Sequence, residues 1–116
     1  MSMVIDKLTG DVTRIALSGS LDIKGTGAVE VPFATVASKN SRVIVDFERV
    51  EFLASIGIRM LVSAAKTVAR RGGTLVLCNV TPTVGRVLTT AGMDGLLPQY
   101  PSLDAAVSAV TAGSRA

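Results

Sequence analysis

The sequence predicts one α/β domain in which a mixed, mostly parallel sheet of about four to five strands is packed against helices. Short apolar runs rich in β-branched residues alternate with longer segments whose apolar residues recur at helical spacing. This alternating order implies right-handed crossovers and parallel strand pairing. The 116 residues are enough for one domain, and because 48% are hydrophobic but only 3% aromatic, its core must be aliphatic.

The strands are predicted from short apolar segments. Residues 4–8 and 12–18 are two of them, and the Thr9-Gly10-Asp11 segment between them has the composition of a hairpin turn. Residues 43–47 and 74–79 are continuous apolar runs, as is typical of strands that are covered on both faces. The chain is therefore expected to begin with a hairpin and to continue with parallel strands.

The segment between the second and third strands contains a proline that limits where a helix can lie. Pro32 would break a helix beginning at Thr26, because proline lacks the backbone N–H and clashes with the preceding turn. A helix with Pro32 at its first position avoids this conflict. We therefore expect a loop from Lys24 to about Glu30 and a helix over residues 32–38.

Three further segments have apolar residues at helical spacing and are bounded by residues that favour helix ends. They are residues 55–71, followed by Gly72-Gly73; residues 82–90, followed by Gly92; and residues 103–110, preceded by Ser102. The predicted domain spans residues 1–112, and residues 113–116 are expected to form a frayed tail.

Ser55 is the most informative residue, because it stands where a helix is predicted to begin directly after a strand. The arginines at positions 70–71 complement the negative end of that helix. Ser55 therefore lies at the opposite end, where free backbone N–H groups favour an anion. A serine in this position can simply cap the helix, or it can carry a phosphate, and the residue types leave both interpretations open.

The residues around Ser55 resemble the signature of STAS domains, most closely that of the bacterial anti-sigma factor antagonists. The signature is a strand ending in Asp-Leu-Ser, then Val, Phe and a Met/Ile-Asp-Ser-Ser/Thr-Gly-Leu segment that leads into a helix. The matching residues are Asp46 and Phe47 at the strand end, Val50 and Phe52 in the loop, and Leu53, Ser55, Gly57 and Ile58 at the helix start. Supporting similarity at residues 18–22, 73–80 and 84–88 extends the resemblance to roughly residues 4–111, which implies a single STAS-like domain.

The resemblance implies a site for phosphorylation and partner binding. Ser55 falls on the serine that the partner kinase phosphorylates in this family, and Asp22 falls in a turn that lies beside that serine. The residues expected to contact the partner are Asp22, Phe52, Ala54, Ile56, Gly57 and Arg59. All of these except Gly57 are expected to be exposed, whereas Ile58, Leu61 and Val62 are expected to face the sheet.

Two residues depart from the family pattern. Ala54 stands where an aspartate is usual, and Ile56 stands where a second serine or threonine is usual. The missing aspartate removes a negative charge beside the acceptor hydroxyl, so a phosphate on Ser55 is less repelled and a kinase meets a different loop. Ile56 is expected to be partly exposed in the isolated domain and to form an apolar contact in a complex.

The resemblance implies a protein switch. In such systems the unphosphorylated antagonist binds an anti-sigma factor that is also a serine kinase, and the sigma factor is released. Phosphorylation, here at Ser55, dissociates the antagonist, and a separate PP2C-type phosphatase restores it. The ATP and magnesium belong to the kinase, so no cofactor or metal is expected in this chain. The alternative is a constitutive STAS scaffold subunit of a signalling assembly or transporter complex, in which Ser55 is only a cap.

The composition argues against other functional classes. The chain has no histidine and one cysteine, Cys78, which excludes Ser–His and Cys–His catalytic pairs and a thiolate zinc site. The net charge of +3 is scattered, without the basic face or stacking aromatics of a nucleic-acid binder. Asp46, Glu48 and Glu51 could bind a cation, but a solvated loop face explains them more simply. The chain shows neither a membrane-spanning run nor a signal-peptide pattern, and a reduced, buried Cys78 fits a cytoplasmic location.

Overall fold

The computed structural model describes residues 1–113, which form a five-stranded sheet with helices on both faces. The elements are β1 (Ser2–Leu8), β2 (Val12–Leu21), α1 (Ile23–Lys39), β3 (Arg42–Leu53), α2 (Ser55–Arg70), β4 (Thr74–Cys78), α3 (Pro82–Thr90), β5 (Gln99–Tyr100) and α4 (Leu103–Gly113). The strand order is β1-β2-β3-β4-β5, with β1 antiparallel to β2 and all other neighbours parallel. The predicted mixed, mostly parallel sheet is confirmed. Gly113 is the last residue of α4, and positions 114–116 of the predicted tail lie outside the described residues.

The sheet separates two apolar layers, because successive side chains of a strand point to opposite faces. One layer lies between the sheet and helices α1, α2 and α3, and Phe33 and Phe47 are its largest fully buried side chains. The other layer lies beneath α4 and consists of Val12, Ile44, Val76, Cys78, Ala106 and Val110. The third strand supplies both layers, since it is covered on both faces as predicted.

Glycines end two of the helices. Gly72 has a φ of 81°, and the amides of Gly72 and Gly73 donate to the carbonyls of Ala69 and Val68, respectively. These two bonds form a Schellman motif, which satisfies carbonyls that the end of α2 would otherwise leave unpaired. Helix α3 ends in the same way at Gly92, which has a φ of 73°. The predicted glycine stops are therefore confirmed.

Helix α1 begins earlier than predicted. It starts at Ile23 and contains Pro32, whereas a loop was expected from Lys24 to about Glu30 and a helix only over residues 32–38. The helix start is fixed by Asp22, whose Oδ1 accepts the amide hydrogen of Gly25 at 2.7 Å. The predicted loop is therefore wrong, and Asp22 is the N-cap of a 17-residue helix.

Tertiary packing explains why the proline does not end α1. Pro32 lies on the exposed side of the helix, while Val29, Phe33 and Ala37 recur every four residues and are buried against the sheet. A proline inside a helix costs about 3 kcal/mol. Full burial of one large apolar side chain such as Phe33 recovers roughly 1.5–3 kcal/mol, so the buried stripe outweighs the lost hydrogen bond.

Strands β2 and β3 continue beyond their predicted ends at residues 18 and 47. They extend to Leu21 and Leu53, and the pairing between them shifts register at two points, one of them between Ala16 and Ser18. Such bulges bend the strands without ending the pairing. Val50 and Leu53 remain buried in the added segment, so the apparent loop before Ser55 is the last part of a strand.

Candidate functional site

The segment around Ser55 lies at the carboxyl ends of β2 and β3, the edge at which α/β sheets usually bind their ligands. The amide of Ala54 donates to the carbonyl of Leu21 at 3.0 Å, which ties the end of β3 to the end of β2. Asp22, the N-cap of α1, and Ser55, the first residue of α2, lie at this same edge. The structure thus brings together the two segments that the sequence singled out.

Ser55 is the first residue of α2 and does not cap it. The N-cap is Ala54, which has extended backbone angles and supplies no side-chain hydrogen bond. Ser55 is exposed, and within residues 1–113 its hydroxyl has no hydrogen-bond partner. The first amides bonded inside the helix are those of Gly57 and Ile58, both to the carbonyl of Ala54. The interpretation of Ser55 as a cap is therefore wrong, and its hydroxyl is accessible for modification.

Gly57 allows the start of α2 to lie close to the sheet. A Cβ at this position would lie 2.9 Å from Cβ of Leu21, 2.9 Å from Cδ1 of Leu53 and 3.1 Å from the Leu21 carbonyl oxygen. Gly57 is buried, unlike the other residues expected to contact a partner. Its contribution to the site is to hold the first turn of α2, and therefore Ser55, against the ends of β2 and β3.

The other residues predicted to contact a partner all reach the surface to some degree. Asp22, Phe52 and Arg59 are exposed, and Ala54 and Ile56 are partly exposed. Phe52 is 53% exposed although it lies in a strand, and Ile23 at the start of α1 is 77% exposed. Exposed apolar side chains of this size at one edge are typical of an interaction surface. Ile23 was not predicted to belong to this surface, because the sequence pattern placed it outside any helix.

Only one of the three residues expected to face the sheet from α2 is fully buried. Leu61 is 0% exposed, whereas Ile58 and Val62 are partly buried and pack at the margin of the core. Ile58 lines a groove of about 510 Å³ between α2 and α3. We call this the α2/α3 groove; its lining is Ser55, Ile58, Thr83, Arg86, Val87, Thr90 and Ala91. The α3 side of the groove was not predicted from the sequence.

A buried carboxylate stabilises the middle of the sheet, in β3. Asp46 is 4% exposed, and its Oδ2 accepts hydrogen bonds from Nε and Nη2 of Arg14 at 3.1 and 2.8 Å. Its Oδ1 accepts from the Glu48 amide at 3.0 Å and from Nδ2 of Asn79 at 3.2 Å. Burial by itself would raise the pKa of Asp46, but these bonds and the charge of Arg14 hold that pKa below its ordinary value. The carboxylate is therefore charged and fully paired at neutral pH.

Asp46, Glu48 and Glu51 therefore do not form one solvated surface, as the sequence had indicated. Asp46 does not belong to a solvated loop face, whereas Glu48 and Glu51 are exposed. Throughout residues 1–113, no group of three or more His, Cys, Asp or Glu side chains is placed to hold a metal ion. Cys78 is buried and free, and burial together with the nearby charge of Asp46 raises the pKa of its thiol to about 12.

Among the helices formed by residues 1–113, none is both long enough and apolar enough to cross a membrane.

Comparisons with known proteins agree with the fold. Residues 6–98 match the family model described as "Mlab, STAS domain". The chain is 29% identical over 110 residues to "Putative anti-sigma factor antagonist BtrV" of Bordetella bronchiseptica, with 94% of each chain covered. It is similar to the crystal structure of an anti-sigma factor antagonist from Mycobacterium paratuberculosis, with a TM-score of 0.84, 25% identity and coverage of 94% and 92%. The Bacillus cell fate determinant SpoIIAA in its phosphorylated form shares the fold, with a TM-score of 0.70, 21% identity and coverage of 94% and 99%.

Proposed function

The chain belongs to the STAS domain family, and we propose that it is an anti-sigma factor antagonist that phosphorylation of Ser55 switches off. In this proposal it is a regulatory, non-enzymatic protein of the cytoplasm. The unphosphorylated form binds an anti-sigma factor that is also a serine kinase, and a PP2C-type phosphatase reverses the modification. The relatives named as anti-sigma factor antagonists support this role.

One observation carries the proposal: the Ser55 hydroxyl is exposed and unpaired within the described chain, at the first position of α2. Because it makes no capping bond, a phosphate there removes no interaction on which the fold depends. A negative charge at a helix N-terminus is stabilising by about 0.3–1 kcal/mol. The free domain should therefore remain folded when Ser55 is phosphorylated.

The same phosphate should weaken partner binding. A phosphoserine carries roughly −1.5 to −2 charges at neutral pH, and here it would lie beside the apolar surface that includes Phe52 and Ile56. Burying such a charge against a partner is costly unless the partner supplies a cation. The charge thus affects the complex more than the free protein, as a switch requires.

The experiment measures whether Ser55 is phosphorylated in the native host and whether a charge at this position weakens partner binding. Intact-mass measurement on protein from its native host should show a phosphorylated fraction that Ser55→Ala abolishes. In calorimetric titrations against the co-purified anti-sigma factor, Ser55→Ala should bind as tightly as the wild type, and Ser55→Asp should bind at least about tenfold more weakly, or 1.4 kcal/mol. Ser108→Asp is the matched control, because Ser108 is an exposed serine on α4, behind the sheet.

The opposite results favour the scaffold alternative. If Ser55→Asp binds as tightly as Ser108→Asp and no phosphate is found in the host, Ser55 is not a switch, and a constitutive STAS subunit explains the chain better. If Ser55→Ala itself loses binding while remaining folded, the hydroxyl is a direct contact, and the proposed mechanism of release is wrong.

A further inference from the structure

The α2/α3 groove places a cation opposite the proposed phosphorylation site. We propose that Arg86 is the counter-ion of phosphorylated Ser55, so that phosphorylation joins α3 to the start of α2 across the groove. This inference rests on the proposed function, because it concerns the phosphorylated form of Ser55. The inference assigns a role to a residue of α3, which lies outside the segment around Ser55 that resembles the family signature.

The groove is formed by one stripe of each helix. On the α3 side, the lining positions 83, 86, 87, 90 and 91 follow the i, i+3, i+4, i+7, i+8 spacing of a single helical face. On the α2 side, Ser55 and Ile58 are three residues apart and share a face. Val84 and Leu88 anchor α3 in the core, so the orientation of its groove face is fixed by packing.

Arg86 is available for this role. It is exposed, and within residues 1–113 it forms no hydrogen bond or ion pair. It is also the only charged residue in the groove lining, which is otherwise made of hydroxyl and apolar side chains. A phosphate on Ser55 would therefore enter a space that contains one unpaired guanidinium and no carboxylate to compete for it.

Arg59 is the other arginine near Ser55, and the structure separates the two. Arg59 is four residues along α2, a spacing that permits contact between side chains. However, it lines a different cavity, between α1 and α2, together with Ile56 and the carboxylate of Glu30. Ser55 does not line that cavity, whereas Ser55 and Arg86 line the same groove, so Arg86 is the better partner for a phosphate on Ser55.

Pairing with Arg86 has two consequences for the switch. Guanidinium and phosphate groups can form two parallel charge-assisted hydrogen bonds, which makes arginine a stronger and more directional partner than lysine. The phosphate charge would be compensated inside the free protein. In addition, the paired side chains would cover the apolar floor of the groove, formed by Ile58 and Val87, and remove it from the surface offered to a partner.

The test uses phosphoserine incorporated genetically at position 55, so that neither the kinase nor the partner is needed. Phosphorylation should raise the Tm of the otherwise wild-type chain by about 2–10 °C, in line with a surface ion pair plus a helix-end charge. Arg86→Ala should lose at least half of this increment, and Arg86→Lys should lose less. Arg70→Ala, which removes an exposed arginine at the far end of α2, should keep all of it.

Phosphorus NMR titration provides a second readout that does not depend on stability. A neighbouring cation favours the dianion, so the midpoint of the phosphate titration should lie at lower pH in the wild type than in Arg86→Ala. An unchanged midpoint and an unchanged Tm increment in Arg86→Ala, or a loss of both in Arg59→Ala instead, would overturn the assignment. Absence of the modification in the host would contradict the proposed function but would leave these measurements unaffected, so the two failures are distinguishable.

Discussion

Replacing Gly57 by alanine should destabilise the domain, although alanine is the better helix former. The propensity gain is at most about 1 kcal/mol and is smaller in the first turn. Against it, the new Cβ would lie 2.9 Å from Cβ of Leu21 and 3.1 Å from the Leu21 carbonyl oxygen, and neither atom is the mobile end of a side chain. Overpacking of this kind costs typically 1–3 kcal/mol. We expect a net loss of about 1–2 kcal/mol and a Tm lower by roughly 3–10 °C.

Two other helical glycines provide matched controls. A Cβ at Gly27 of α1 meets nothing within 4 Å, and one at Gly85 of α3 has its nearest neighbour at 3.5 Å, an ordinary contact. Gly27→Ala and Gly85→Ala should therefore stabilise the domain by about 0.5–1 kcal/mol. Urea denaturation of the three variants measures the difference directly. If Gly57→Ala is as stable as Gly27→Ala, the neighbouring leucines yield without cost, and the close fit of α2 does not fix the position of Ser55.

Of three further predictions, one concerns the buried carboxylate of β3 and two concern residues at the site. Asp46→Asn should destabilise the domain and make its stability less dependent on pH in acid. The folded pKa of Asp46 is lowered, so its contribution to the free energy of unfolding is present above the ordinary carboxyl pKa and is lost as pH falls through the folded value. Urea midpoints measured between about pH 2 and 5 test this. Ile56→Lys should abolish partner binding with little change in Tm, whereas Leu61→Lys should unfold the domain by burying an unpaired charge; equal destabilisation would place Ile56 in the core. Ala54→Asp should stabilise the unphosphorylated domain by about 0.5–2 kcal/mol and reduce the Tm increment from phosphorylating Ser55; an undiminished increment would show that the two charges do not compete.

The features predicted correctly are those that neighbouring residues determine. The hairpin at residues 9–11 and the glycine stop at Gly72 depend on a left-handed backbone conformation, which is encoded locally by residue type. The start of α4 is also local, since the hydroxyl of Ser102 accepts the amide hydrogen of Ala105 at 3.1 Å. Continuous apolar runs likewise identified the buried parts of β3 and β4.

The errors arise where distant residues decide the structure. Helix α1 continues through Pro32 because its other face is buried against the sheet, which the sequence near Pro32 does not reveal. Asp46 was predicted to lie on a solvated loop face because its partner Arg14 is 32 residues away. The strand Gln99–Tyr100 has only two residues, too few for any periodicity. The α2/α3 groove depends on how two helices are placed, so only its α3 stripe could have been recognised from the sequence.

The departures from the family pattern have a physical meaning at the start of α2. The usual aspartate would fall on Ala54, the N-cap, where a carboxylate could accept hydrogen bonds from the first amides of the helix. With alanine there, the amides of Ser55 and Ile56 have no partner within the described chain, and no negative charge occupies the positive end of the helix. A phosphate on Ser55 would be the first strong acceptor to reach them. Alanine at position 54 therefore leaves the unphosphorylated helix start less stable than an aspartate would. Phosphorylation of Ser55 then stabilises the helix start by a larger amount, which would strengthen a phosphorylation switch in this chain.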